Sequence, residues 1–185
     1  MKLRRSLKGR ALQLLAQREH SRAELRRKLL AHARADAVAK ADTADAAGSV
    51  DESSAAPAVA DPIAEVDAAL DWLEAHDHLS QERFVESRVH ARAARFGNLR
   101  IRRELAQHAV ALSPEAVQSL QASELERARA VWARKYPSPP ADAAGRAHQA
   151  RFLAGRGFSP EVIRRVLRAA GRALDAADEF AEHGG

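Results

Sequence analysis

Three five-residue segments of this chain repeat one pattern, an apolar residue, two arginines, any residue, then leucine or its equivalent. They are Leu25-Arg26-Arg27-Lys28-Leu29, Ile101-Arg102-Arg103-Glu104-Leu105 and Ile163-Arg164-Arg165-Val166-Leu167. Four residues before each stands a turn or cap residue (Ser21, Gly97, Ser159), preceded by His20, Phe96 or Phe158. At 100° per residue, the two apolar positions of a segment lie about 40° apart on one helix face. The first arginine flanks that face and the second points nearly opposite. A short amphipathic helix recurring after a turn cannot bury its apolar face alone, so the chain reads as an array of small helical units covering one another. The spacings of 76 and 62 residues are unequal, so the repeat is degenerate.

Composition agrees with an all-α reading. Of the 185 residues, 43 are Ala and 19 are Leu, against 14 Val plus Ile and 8 aromatics. Strong helix formers therefore dominate, and β-rich folds are excluded. There is no Cys, which removes disulfides, thiolate zinc sites and thiol nucleophiles. The basic start, Met1–Arg10, lacks the apolar run of a signal peptide, and no apolar stretch approaches the ~20 residues of a membrane span. A soluble cytoplasmic protein is expected.

Helix starts are marked by Ser21, Asp61-Pro62, Ser80, Ser113-Pro114 and Ser159-Pro160, and breaks by Gly97 and the 137–140 proline cluster. These give about eight or nine helices of roughly 8–16 residues. Residues 31–60 break the pattern: 13 of 30 positions are Ala, and Val38, Val50 and Val59 are the only larger apolar side chains. Such a segment buries too little to offset its ordering entropy and reads as a mobile linker whose first part can prolong the preceding helix. An acidic mimic competing for the basic surface is the alternative reading of it. Charge is arranged in blocks, net +8 over 1–30, −9 over 31–80 and +5 over 83–108. That asymmetry points to a polyanion-facing surface with an acidic interruption.

No catalytic constellation is present: no phosphate-binding glycine loop, no HExxH pair, no nucleophile elbow. His76 and His78, two residues apart at a helix end, point their rings away from each other and read as a polar terminus. Asp67, Asp71, Glu74 and Asp77 read as a solvated acidic face. The chain is expected to be neither an enzyme nor a holder of metal or cofactor. The repeated doublets Arg26, Arg27, Arg102, Arg103, Arg164 and Arg165, with Arg88, Arg92, Arg95 and Arg100 nearby, are the candidate contacts to DNA or an acidic protein. Phe84, Phe96, Phe152, Phe158, Trp72 and Trp132 sit where the repeats need core, rather than as base-stacking platforms.

Beyond the doublets, the order of several motifs resembles the RecX family, bacterial regulators of the RecA recombinase. The matching residues are Ala11-Leu12 and Leu15 before Ser21-Arg22-Ala23-Glu24-Leu25; Asp71-Trp72-Leu73 before Leu79-Ser80-Gln81-Glu82-Arg83-Phe84; Phe96-Gly97 before Ile101–Leu105; and Phe152-Leu153 before Arg156-Gly157-Phe158-Ser159, Ile163 and Leu167. The resemblance implies three tandem, degenerate three-helix (helix-turn-helix-like) repeats in an elongated, curved array. These would occupy 1–79, interrupted by the 31–60 linker, then 80–121 and 122–171, with 172–185 as an acidic frayed tail. It implies a monomer that binds the RecA–DNA filament and inhibits its extension, ATPase and strand exchange in recombination, the SOS response and DNA repair. Single- or double-stranded DNA alone would be bound weakly and without sequence preference. Three departures stand out: the 31–60 insertion, Asn98 where many relatives carry Pro, and the acidic tail 172–185, which extends past the family's expected end. The rival reading is a stand-alone helix-turn-helix DNA-binding protein.

Overall fold

A computed structural model describes residues 6–46 and 61–182, and the C-terminal end of the linker, 47–60, lies outside the described residues. Among the described residues there are eight helices and no strand, so the all-α expectation holds. The helices are α1 (Leu7–Leu15), α2 (Arg22–Ala46), α3 (Pro62–Ala75), α4 (Gln81–Ala93), α5 (Asn98–Ala106), α6 (Pro114–Lys135), α7 (Ala143–Gly155) and α8 (Pro160–Glu182). None is long and apolar enough to cross a membrane.

The starts follow local capping chemistry. Ser21, Ser80, Ser113 and Ser159 each accept a hydrogen bond at Oγ from the backbone N–H three residues on, at 3.1–3.4 Å. Asp61 accepts from Ile63 at 2.9 Å with Pro62 at the first helical position. The lengths depart from expectation. α2, α6 and α8 run 25, 22 and 23 residues, because past the first helical position their Ala/Arg/Glu-rich sequences contain no proline to stop a helix already supported by packing. Residues 31–46 thus continue α2. The expected boundary at 121/122 falls inside α6.

The chain divides into two compact units, residues 1–84 and 85–185. In the first, α1, α2 and α3 pack pairwise around Ala11, Leu25, Leu29, Val66, Leu70 and Leu73, all fully buried. Each such leucine contributes roughly 1.5–3 kcal/mol by leaving water. In the second, α6, α7 and α8 pack pairwise around Ala128, Val131, Leu153, Phe158, Ile163 and Val166, and α5 lies on α6.

Three helix ends share one closure. α3, α5 and α7 each end with a residue at positive φ (Asp77 56°, Ala109 55°, Gly157 81°). The next N–H then reaches five residues back, His78 to Leu73, Val110 to Leu105 and Phe158 to Leu153.

Candidate functional site

In each repeated segment the apolar pair is buried, Leu25/Leu29, Ile101/Leu105 and Ile163/Leu167. The arginines between them are thereby forced outward, and their local partners decide what they can do.

In the first unit, Arg26 grips Asp67 of α3 through Nε (2.6 Å) and Nη2 (2.9 Å). This bidentate pair raises the guanidinium pKa and lowers that of the carboxyl. Arg22 likewise bridges Asp71 (2.6 Å) and Glu74 (2.5 Å), so the acidic face of α3 serves as counter-charge for α2. Arg27 is exposed and forms no ion pair among the described residues. His76 places Nδ1 2.8 Å from the Trp72 carbonyl, and the rings of His76 and His78 lie 4.2 and 5.6 Å from the indole. Among the described residues no three His, Asp or Glu converge as a metal site.

In the second unit, Arg92 donates to Glu104 through Nε (3.0 Å) and Nη2 (2.9 Å). Arg88 lies 3.6 Å from the same carboxylate and 3.1 Å from His108 Nε2. Both thus tie α4 to α5. Arg102 and Arg103 are exposed with no carboxylate partner among the described residues. On α8, among the described residues, Arg165 is equally free and Arg164 reaches only its own helix at Pro160 O, 3.4 Å. The sequence treated these ten arginines alike, whereas the structure separates neutralised from available cations.

Arg92, Arg100 and Arg103 come together along a cleft of about 560 Å³ lined also by Leu99, His108 and Gly157. Leu99 is 52% exposed there. Phe96 is half-buried, with Arg100, Arg95 and Arg92 at 4.2, 5.7 and 5.8 Å from its ring centroid. Phe84 and Phe158 are core, at 2% and 1% exposure, but Phe96 and Phe152 keep an accessible edge under guanidinium groups.

The cleft depends on two turns meeting head on. Gly97 N donates to Arg156 O and Leu99 N to Gly157 O, both at 3.0 Å. The approach is so close that a Cβ on Gly97 would sit 2.3 Å from Gly157 O. Glu124 of α6, 5% exposed, fastens both turns: Oε1 accepts from Asn98 N (3.0 Å) and Ser159 N (3.3 Å), and Oε2 from Ser159 Oγ (3.4 Å). Arg127, one turn on, donates to Ala93 O (3.2 Å), Phe96 O (2.8 Å), Asn98 Oδ1 (2.6 Å) and Leu120 O (3.1 Å). Burial lowers its pKa and the Glu124 charge opposes that. Sequence reading missed this pair, since nothing in Glu124-Leu125-Glu126-Arg127 distinguishes it from a wet helix face. The geometry also accounts for Asn98: it keeps the N–H that Glu124 accepts, which a proline at this first helical position would lack.

A family model described as the third three-helix domain of RecX matches residues 122–167, the stretch from within α6 into α8. The protein named regulatory protein RecX in Ralstonia nicotianae is 47% identical over 177 residues, 94% of each chain. Those of the same name in Leptothrix cholodnii and Chromobacterium violaceum are 47% and 36% identical over 167 and 178 residues, covering 89% and 96% of each chain. With that coverage and identity, the chain belongs to the RecX family of regulatory proteins.

Proposed function

We propose that this protein binds the RecA–DNA nucleoprotein filament and restrains it, limiting filament extension, ATP hydrolysis and strand exchange. The observation that carries this reading is the pair Arg102–Arg103, exposed on α5 without a carboxylate partner among the described residues and beside Arg100, on a chain of the RecX family. Arg27, Arg164 and Arg165 extend the set of available cations; Arg26, Arg88 and Arg92 position helices and contribute less. The protein acts as a cytoplasmic monomer, and naked DNA is a weak ligand read without sequence preference, since guanidinium–phosphate contacts carry no base information.

The test is RecA's DNA-dependent ATPase as the protein is titrated in. Substoichiometric inhibition is expected. Charge reversal at both Arg102 and Arg103 is expected to raise the half-inhibiting concentration at least tenfold with helicity intact, and to reduce the salt dependence by about two counterion equivalents. Absence of inhibition by the wild-type protein at any ratio removes the reading.

A further inference from the structure

A second basic cleft, of about 270 Å³, opens where the end of α6 meets the end of α7 in the 85–185 unit. Arg95, Arg134, Lys135 and Arg156 line it around Val131 and Phe152. Among the described residues no carboxylate lines it and none of the four cations forms an ion pair. Their one polar bond there is Arg156 Nη1 to the Arg95 carbonyl, 3.3 Å. Arg134 and Lys135 stand in the last turn of α6, where the helix dipole favours cations. That position accounts for two of the charges but not for four gathered on an apolar floor.

From this geometry we infer that the cleft binds a phosphodiester of single-stranded nucleic acid, with a neighbouring base against the guanidinium-capped phenylalanines. The chain builds one unit twice: Phe96 with Arg100 at 4.2 Å and Phe152 with Arg156 at 4.7 Å, each arginine four residues after its ring. Arg95 joins them, lying 5.7 Å from the Phe96 ring and lining the Phe152 cleft. Flat surfaces alternating with free cations match a single strand, whose unpaired bases stack on aromatic rings and guanidinium planes while its phosphates meet arginine and lysine. A duplex keeps its bases stacked inside and leaves the rings unused. An acidic helix would bring carboxylates to the cations but no flat face to the rings. An extended acidic peptide offers charge but nothing for the rings. The site is built from this chain's own residues, so its test needs no RecA.

The test is fluorescence anisotropy of a labelled oligothymidylate with the full-length protein, without RecA, over a series of salt concentrations. In Arg134→Ala/Lys135→Ala/Arg156→Ala, affinity for the strand is expected to fall about tenfold or more. The slope of log K against log salt is expected to shrink by about two, at ~0.7 for each phosphate no longer neutralised. The three corresponding changes among cations (Arg134→Lys, Lys135→Arg, Arg156→Lys) retain most of the slope. If the alanine variant does not fold, the single exposed change Lys135→Gln is used, with an expected slope change of ~0.7. An unchanged slope in a folded variant overturns the inference, and so does loss of polyglutamate binding with strand binding intact. A cleft variant that keeps wild-type strand binding while the wild-type protein inhibits RecA sinks this site alone. Strand binding that depends on the cleft in a protein without effect on RecA sinks only the recombinase reading.

Discussion

Removing the carboxylate of Glu124 separates its capping role from its charge. In Glu124→Ala the two backbone donors Asn98 N and Ser159 N, now 3.0 and 3.3 Å from Oε1, lose their acceptor inside the protein. Each buried unsatisfied donor costs about 1–3 kcal/mol. The Ser159 hydroxyl rotates and still caps Val162, so it is not counted. Arg127 also loses the nearby charge that offsets its burial. Together these give a loss of about 4 kcal/mol. Glu124→Gln retains one acceptor oxygen for both donors and loses only the charge assistance, so about 1.5 kcal/mol is expected. The assay is urea unfolding followed by Trp132 fluorescence in a Trp72→Phe background, because Trp132 lies in the 85–185 unit that Glu124 fastens. With a slope near 2 kcal/mol/M, the alanine variant shifts the midpoint by about 2 M and the glutamine variant by less than 1 M. Equal shifts for the two, or shifts below about 0.3 M for both, refute the capping argument.

Two further outcomes follow from helix ends and buried charge. Ala109→Gly relieves an L-residue held at φ 55° and is expected to stabilise by about 0.5–1 kcal/mol, whereas Gly157→Ala is expected to destabilise by more than about 2 kcal/mol. In the latter the new Cβ would lie 2.5 Å from Arg100 Cβ; calorimetric melting of both variants reads the opposite signs. Acid stability should fall in two steps around His20 and Glu24. Burial, which raises a carboxyl pKa, is outweighed at Glu24 by hydrogen bonds from Arg18 and Lys28 and by the His20 and Arg18 charges, so it titrates at about 2 instead of 4.5. Its stabilisation, roughly 3 kcal/mol, is complete above pH 4.5 and lost as pH falls toward 2. Burial pushes the imidazole of His20 below 6.5 against the opposing Glu24 charge, so protonation favours the unfolded chain and stability declines as pH drops below 6.5. His20→Phe, the residue type at the equivalent positions 96 and 158, removes the upper step and leaves the lower one; melting temperature against pH shows whether it does.

What was legible in the sequence was whatever is decided within one helical turn. Cap serines, prolines at first helical positions and the inward turn of Leu25/Leu29 or Ile101/Leu105 depend on neighbours three or four residues away. Helix lengths were not legible, because α2 has no stop signal before Ala46 and runs on past Ala33, its last residue packed on the core, through exposed Ala35, Ala37 and Val38. Nor was the partition of the arginines. Arg26 meets Asp67 across 41 residues and Arg92 meets Glu104 across 12; the sequence shows the cations and the carboxylates but not their pairing. The Arg134-Lys135 dipeptide was visible before the proline cluster, yet it becomes a cleft only where α7 brings Arg156 beside it.

The degeneracy of the repeat has the same origin. Ser21 and Ser159 cap their own helices, but Gly97 at the equivalent position has no side chain to do so. Serine is excluded there because a Cβ would collide with the 157–158 backbone. The orphan N–H at the start of α5 is instead taken by Glu124, 26 residues downstream, on a helix that also caps Ser159. Once the cap is supplied from elsewhere, position 98 must keep its N–H, which forbids the proline that otherwise suits a first helical position. Glycine at 97, asparagine at 98 and a buried glutamate at 124 are therefore one adaptation. Each looks like a separate blemish in the repeat until the two turns are seen to share a backbone contact.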